Sequence, residues 1–295
     1  MMNQKDTAAL NANQKGTSTL NENQTDTAAL NANQKEVAAL KPFEQHLYEN
    51  GYMRQEEINF HDCGPDKRVR MGALLSIMAL FGGYDYDARG LNHERLLEMR
   101  NVFLLSRAGV HIHHRPAYQD VLTIRTWEDG IHGAHMRRVY RMSDESGHVC
   151  VSAKSDWILV NPENRKILRP ASFTARELLP CPVAIDCPEP KKIRFPAEGI
   201  QELGKRTIRW SDLDGNGHLF SGNYGDIIWD ALPEELRTRK VETFFICYAH
   251  EAKLGDTLRL TGFQKTFPDA QPPVYLVEGS TPDGVCFTAE INFAV

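Results

Sequence analysis

The chain has 295 residues, 41% hydrophobic and 25% charged, with a formal net charge of −5. That length supports two domains with separate cores, and no apolar run approaches the roughly 20 residues that a membrane-crossing helix needs. The negative balance argues against a general nucleic-acid binder, which requires a basic surface.

Residues 1–40 repeat a decapeptide: NQKDTAALNA, NQKGTSTLNE, NQTDTAALNA, NQKEVAALKP. Its Asn, Gln, Thr and Ala content offers little surface to bury against the entropy cost of ordering, so a solvated tail is expected. The N-terminus shows neither an apolar signal core nor an Arg-rich transit pattern. Six cysteines (Cys63, Cys150, Cys181, Cys187, Cys247, Cys286) form no CxxC pair and no metal spacing. Reduced thiols in a cytoplasmic protein, with no cofactor and no metal, are the expectation.

Residues 41–169 form a first unit. Tyr52–His61 reads as a strand. Met71, Leu74, Leu75, Met78 and Phe81 then recur at helical spacing, giving about three turns that Gly82-Gly83 stops. Alternating runs follow at Val110–Arg115, Asp120–Glu128, His135–Ser143 and His148–Leu159, separated by turn signals. A lone helix followed by meandering strands implies an antiparallel sheet wrapped on that helix. Residues 170–204 are Pro-rich, including Pro180, Pro182, Pro188, Pro190 and Pro196, and read as a surface connection.

Residues 205–295 form a second unit of the same plan. It has a strand at Arg206–Trp210 and a helix after Ser221 (the expected N-cap), ended by Pro233. Strands at Thr243–Ala252, Thr257–Gln264, Pro273–Gly279 and Val285–Val295 complete it. HIHHRPAYQDVLTIRTW, from His111, aligns without gaps on CYAHEAKLGDTLRLTGF, from Cys247, placing Asp256 over Asp120. The same offset lays Thr288–Phe293 over Ser152–Trp157, and Ile208–Asp212 matches Ile58–Asp62. An offset that survives an intervening turn marks a duplicated folding unit.

Only the second copy carries a full set of reaction groups. Asp214, Asn216 and His218 alternate with glycines just ahead of a helix, and in an extended segment all three would share a face. The helix N-terminus beyond them would offer amides to a developing oxyanion. Glu251 falls in the predicted strand Thr243–Ala252. Taken singly, Asp214 and Asn216 could simply make Asx turns, and His218 and Glu251 could be solvated. Their joint appearance in one copy favours chemistry, because the matching positions of the first copy are Gly64, Asp66, Arg68 and Arg115. His111 and His113 share a strand face, but no third metal ligand is placed and His114 points away, so they read as strand surface. No G-x-S-x-G elbow supports a serine-hydrolase route.

Over roughly residues 43–295 the sequence resembles the acyl-acyl carrier protein thioesterase family. The resemblance rests on Asp214-Gly215-Asn216-Gly217-His218 within WSDLDGNGHLFSGNY, on Gly133–Arg138, and on Ala153–Asn161. It implies an α+β fold of two tandem hotdog domains, each a long helix wrapped by an antiparallel sheet. It also implies a catalytic glutamate at Glu251 and acyl carrier protein as the partner that delivers the thioester. Plant members carry a cysteine directly after that glutamate. Here the position is Ala252, which leaves no covalent cysteine route. The repeat tail stands in place of a plastid transit peptide, so a bacterial cytosolic member, monomer or homodimer, is expected.

On this reading water attacks the thioester, activated by Glu251 or His218, with Asp214 orienting His218 and Asn216 holding the carbonyl oxygen. Met71, Leu74, Leu75, Met78, Met136, Arg137 and Arg138 are expected to line the acyl tunnel in the first domain. Three basic groups are candidates for meeting the acidic carrier: Arg137/Arg138/Arg141, Lys191/Lys192/Arg194 and Arg237/Arg239/Lys240. A hotdog dehydratase or hydratase, or a non-catalytic acyl-thioester-binding module, are the alternative readings. Acyl chain length is not legible in the sequence.

Overall fold

Alternation of apolar and polar side chains over long runs produces, among the described residues of the computed structural model, eleven antiparallel strands that pair into one sheet. The structure describes residues 45–177, 185–265 and 273–294. The decapeptide tail, Pro180, Pro182, Cys181 and Val295 lie outside these. The strands are β1 (Gln45–Tyr48), β2 (Gly51–Glu57), β3 (Val102–Ile112), β4 (Val121–His132), β5 (His135–Ser143) and β6 (Val149–Val160) in the first half. The second half contributes β7 (Gln201–Thr207), β8 (Val241–Tyr248), β9 (Thr257–Lys265), β10 (Val274–Thr281) and β11 (Gly284–Phe293). Their spatial order is β1-β2-β4-β5-β6-β3-β8-β11-β10-β9-β7. Helices are α1 (Met71–Asp87), α2 (His93–Glu98), α3 (Asn223–Ala231) and α4 (Glu234–Arg237).

The two halves join where β3 pairs with β8, with Arg107 opposite Cys247 and His111 opposite Thr243. Gly109 makes that seam possible: a Cβ there would stand 3.2 Å from both the Phe245 ring and the Pro188 carbonyl oxygen. A second joint lies between the helices. Gly72 of α1 and Gly225 of α3 touch backbone to backbone, since a Cβ on Gly225 would come within 2.7 Å of the Gly72 nitrogen. Beside them Asp226 of α3 takes a hydrogen bond from Arg70, just ahead of α1. One hydrophobic core therefore runs through both halves, combining Leu74, Met78 and Phe81 with Tyr224, Ile228 and Phe287.

Neighbouring strand residues face opposite ways, so Tyr140 and Phe244 enter that core while Val139 and Phe245 face outward. The chain between the halves covers this outer face, with Ile185 on Trp127 and Val139, and Ile193 and Phe195 near Phe245 and Leu276.

Several boundaries differ from the sequence reading. The first strand stops at Glu57, and Phe60–Asp62 form a 3₁₀ turn whose Asp62 carboxylate accepts the Asn59 amide hydrogen at 3.0 Å. Helix α1 does not end at Gly82-Gly83 but runs on to Asp87, because burial of Phe81, Asp85 and Tyr86 outweighs the roughly 1 kcal/mol cost of each helical glycine. α2 and β1 were not expected, and β3 begins at Val102 rather than Val110. α3 is preceded by Gly222 at its N-cap instead of Ser221, with no side-chain cap.

Candidate active site

The turn that carries the candidate residues is a tight hairpin, not the extended segment expected. Leu213 bridges to Leu219, the Asp214 amide donates to the His218 carbonyl at 2.8 Å, and Gly217 takes the positive φ of +77° that closes the loop. Asp214 braces this turn through one carboxylate oxygen. Its Oδ1 accepts the backbone amides of Asn216 at 2.8 Å and of His218 at 3.2 Å. The expectation that Asp214 orients the imidazole is corrected: it holds the backbone of residue 218, while the ring has another partner.

That partner is Glu251. β8 ends at Tyr248, because the amides of Ala249 and His250 both turn onto the Cys286 carbonyl, at 2.8 and 3.4 Å. Glu251 thus lies beyond the strand predicted to contain it. The outgoing chain then pairs with the hairpin: the Leu219 amide donates to the Ala252 carbonyl at 2.8 Å, and His218 bridges to Lys253. This pairing sets His218 Nε2 3.3 Å from Glu251 Oε2. Both side chains are partly buried, about a quarter exposed. Asn216 sits exposed on the same turn.

Two neighbours were not foreseen. Arg165, from the turn after β6 in the first half, donates to Glu251 Oε2 at 2.8 Å. Its contact is non-local and nothing in the sequence pairs it with Glu251. Buried Tyr224 of α3 stacks edge-on against Tyr248 and Phe287, and burial, then the nearby Cys286 thiol, push its hydroxyl pKa up. The aromatic at helical spacing after Ser221 was the available signal. The α3 N-terminus is not an open oxyanion site. Gly222 packs on Ser76 and Gly72 of α1, and the Asn223 and Gly225 amides already donate to the Phe220 and Gly222 carbonyls at 2.9 and 3.0 Å.

Asn216 stands at the edge of a cleft of about 370 Å³ whose other walls come from the first half. Its apolar lining includes Ala79, Tyr86, Leu91, Leu96, Phe103, Met136 and Trp157, together with Gly82 and Gly83 of α1. Of the expected tunnel residues, Met136, Arg137 and Arg138 border this cleft. Met71, Leu74, Leu75 and Met78 do not. They pack in the shared core, because α1 offers its C-terminal half to the cleft.

Arg137 and Arg138 are not a basic surface patch either. Arg137 forks onto Asp156 at 2.7 and 3.2 Å and bonds Glu189. Arg138 reaches Asp85 at 2.9 Å. Fully buried Asp85 is also held by Arg89 at 2.8 Å and Arg176 at 3.0 Å. Burial alone would raise its carboxyl, but Arg138, Arg176 and Arg89 together keep it below its ordinary pKa. Glu128 completes the cluster, accepting the Tyr86 hydroxyl at 2.5 Å with Arg176 at 3.1 Å. Buried charges grouped in this way are neutralised by their neighbours.

At the end of β3, His111 and His113 share a face, as expected, and Asp186 of the connecting chain approaches their ring nitrogens at 3.5 and 3.9 Å. Cys63, Cys150, Cys187, Cys247 and Cys286 stand as free thiols. Among the described residues, no helix is long and apolar enough to cross a membrane.

Residues 49–172 match the family model of the acyl-ACP thioesterase N-terminal domain, and residues 200–290 that of the C-terminal domain. The chain is 22% identical, over 236 residues, to the oleoyl-acyl carrier protein thioesterase of Coriandrum sativum, covering 72% of this chain and 63% of that protein. It spans less than two thirds of the length of the first curated relatives it matches. Its fold is that of the acyl-ACP thioesterase from Bacteroides thetaiotaomicron, at TM-score 0.70, 23% identity and coverage of 83% and 98% of the two chains. It is also that of the 12:0-ACP thioesterase from Umbellularia californica, at TM-score 0.72, 19% identity and coverage of 83% and 94%.

Proposed function

Given that the chain belongs to the acyl-ACP thioesterase family, we propose that it hydrolyses acyl-acyl carrier protein, releasing a free fatty acid and the carrier thiol. The observation that carries this reading is the His218–Glu251 contact at 3.3 Å on the same turn as Asn216, beside an apolar cleft. An imidazole and a carboxylate in contact form an acid–base pair that can take a proton from water and return one to a leaving thiolate.

In the proposed reaction the alkyl chain lies in the cleft along Phe103, Met136 and the C-terminal half of α1. The thioester carbonyl stands at Asn216, whose side-chain N–H groups donate to the oxygen as it gains charge. Water, deprotonated by the His218–Glu251 pair, attacks the carbonyl carbon, and the tetrahedral intermediate collapses by breaking the C–S bond. The thiolate takes up the proton. Arg165 holds the Glu251 carboxylate in place, and Asp214 shapes the turn.

The first half supplies the acyl-binding cleft and the second half, residues 205–295, the reacting groups. The exposed Lys192 and Arg194 are the proposed carrier-docking cations, since Arg137 and Arg138 are occupied by buried carboxylates. Free thiols suit a reducing compartment, and we place the protein in the cytoplasm.

Thiol release measured across acyl chain lengths, on carrier protein and on coenzyme A, tests the proposal. Saturable turnover on carrier-linked substrates is expected. Binding without thiol release, or double-bond chemistry on a crotonyl or 3-hydroxyacyl thioester, would replace it.

A further inference from the structure

The backbone frame of the candidate active site occurs twice. In the first half the Gly64 amide donates to the Arg68 carbonyl at 2.9 Å, and Val69 donates to Pro116, as Asp214 does to His218 and Leu219 to Ala252. Arg68 bridges to Ala117 as His218 bridges to Lys253. This second frame also borders a cleft, of about 350 Å³, and again the opposite half contributes a wall, here Trp229 of α3 and the chain after α4.

The side chains have changed sign. Arg68 occupies the position of His218, and Arg115 that of Glu251. No acid–base pair remains, and Asp66, the acidic residue bordering this cleft, is engaged by Arg115 at 2.7 Å. Arg239 and Lys240 enter from the other half, both exposed, and neither side chain has a hydrogen bond or ion pair to a described residue. The same cleft is bordered by the half-buried Trp229 and by the buried side chains of Met71 and Leu74. A positive rim over an apolar wall fits an anion with an alkyl tail, and it offers no group that would hydrolyse one.

We propose that this second cleft is a non-hydrolytic binding site for a fatty acid, with the carboxylate at Arg239, Lys240 and Arg68 and the chain against Trp229, over a floor of Met71 and Leu74. The identity of the ligand rests on the thioesterase reading, because a fatty acid is the product of that reaction. Helix α1 connects the two clefts: its first residues border the fatty-acid site and its last turns border the substrate cleft.

The test is calorimetric titration of the full chain with monomeric sodium dodecanoate, compared with an Arg239→Glu/Lys240→Glu variant. Both positions are exposed, so the fold should survive, which circular dichroism checks. One binding event should lose at least tenfold in affinity in the variant, while thiol release from a coenzyme A thioester, which needs no carrier docking, keeps its wild-type kcat. Equal dodecanoate binding by the two proteins overturns the proposal. So does displacement of dodecanoate by inorganic phosphate at equal concentration, which would show a bare anion site. If neither protein releases thiol but the variant still loses dodecanoate binding, the hydrolase reading fails and the fatty-acid site stands.

Discussion

His218 and Glu251, 33 positions apart in sequence, meet at 3.3 Å because the segment closing the Asp214–His218 hairpin bridges to the segment that follows Glu251. The contact is thus fixed by backbone pairing, and the side chains have only to project from it. Glu251→Gln keeps shape and removes the base. Its expected effect is a loss of about 10²- to 10⁴-fold in kcat, the usual range for acid–base groups, with a similar loss for His218→Ala. Steady-state thiol release measures both. If Glu251→Gln turns over at the wild-type rate, the proton passes to His218 alone.

Asn216 and Asp214 sit on one turn but should behave differently. Asn216→Ala should lower kcat by about 10²–10³-fold with little change in KM, as for an oxyanion donor. Asp214→Asn should retain most activity, because its amide oxygen can still accept the two backbone amides that Oδ1 accepts now. Asp214→Ala, lacking any acceptor, should lose activity along with loop order. Equal damage from Asn and Ala at position 214 would point to a role for its charge instead.

Gly83 borders the cleft proposed to take the acyl chain, and a Cβ there would meet nothing within 4 Å. A glycine inside a helix with open space beside it is poorly explained by packing. Gly83→Leu should stabilise α1 slightly through higher helix propensity while filling the cleft. The expected result is a shift of preference toward shorter acyl chains, read from relative kcat/KM across a chain-length series. An unchanged profile would move the alkyl chain elsewhere.

Asp85 gives a pH prediction. Its carboxyl is held below its ordinary pKa of 3.8 against the opposing effect of burial. A depressed folded-state pKa contributes stability that is present above 3.8 and is lost as pH falls through the lower, folded-state value. Asp85→Asn removes that dependence and leaves three guanidiniums short of a partner. It should cost about 3–5 kcal/mol at neutral pH, with a shallower loss on acidification, measured as denaturant midpoints between neutral and acid pH.

The duplication was legible because each half keeps the same local hydrogen-bonding residues. Asp62 and Asp212 both cap a 3₁₀ turn, and Asp120 and Asp256 both accept an amide three residues earlier. Such contacts are short in sequence and leave a pattern. The end of β8 is hidden in the sequence, because the alternation CYAHEA continues through the point where Ala249 and His250 turn onto Cys286, and Glu251 lies beyond it. Arg165 and the β3–β8 seam were invisible for the opposite reason. They join residues whose proximity comes only from how the two halves dock. Gly82-Gly83 reads as a helix stop by propensity alone; the burial of Asp85 and Tyr86, which carries α1 past it, depends on contacts far away in sequence.

The division of labour between Asn216 and the walls of its cleft has a consequence for assembly. The hairpin belongs to one half and the apolar lining of the cleft to the other, so on the proposed mechanism neither fragment, expressed alone, would hold a finished reaction centre. Co-expressed pieces severed near Gly199 could regain turnover only by re-forming the β3–β8 seam and the Gly72–Gly225 contact. A split-fragment complementation assay would therefore use catalysis itself as the reporter of docking.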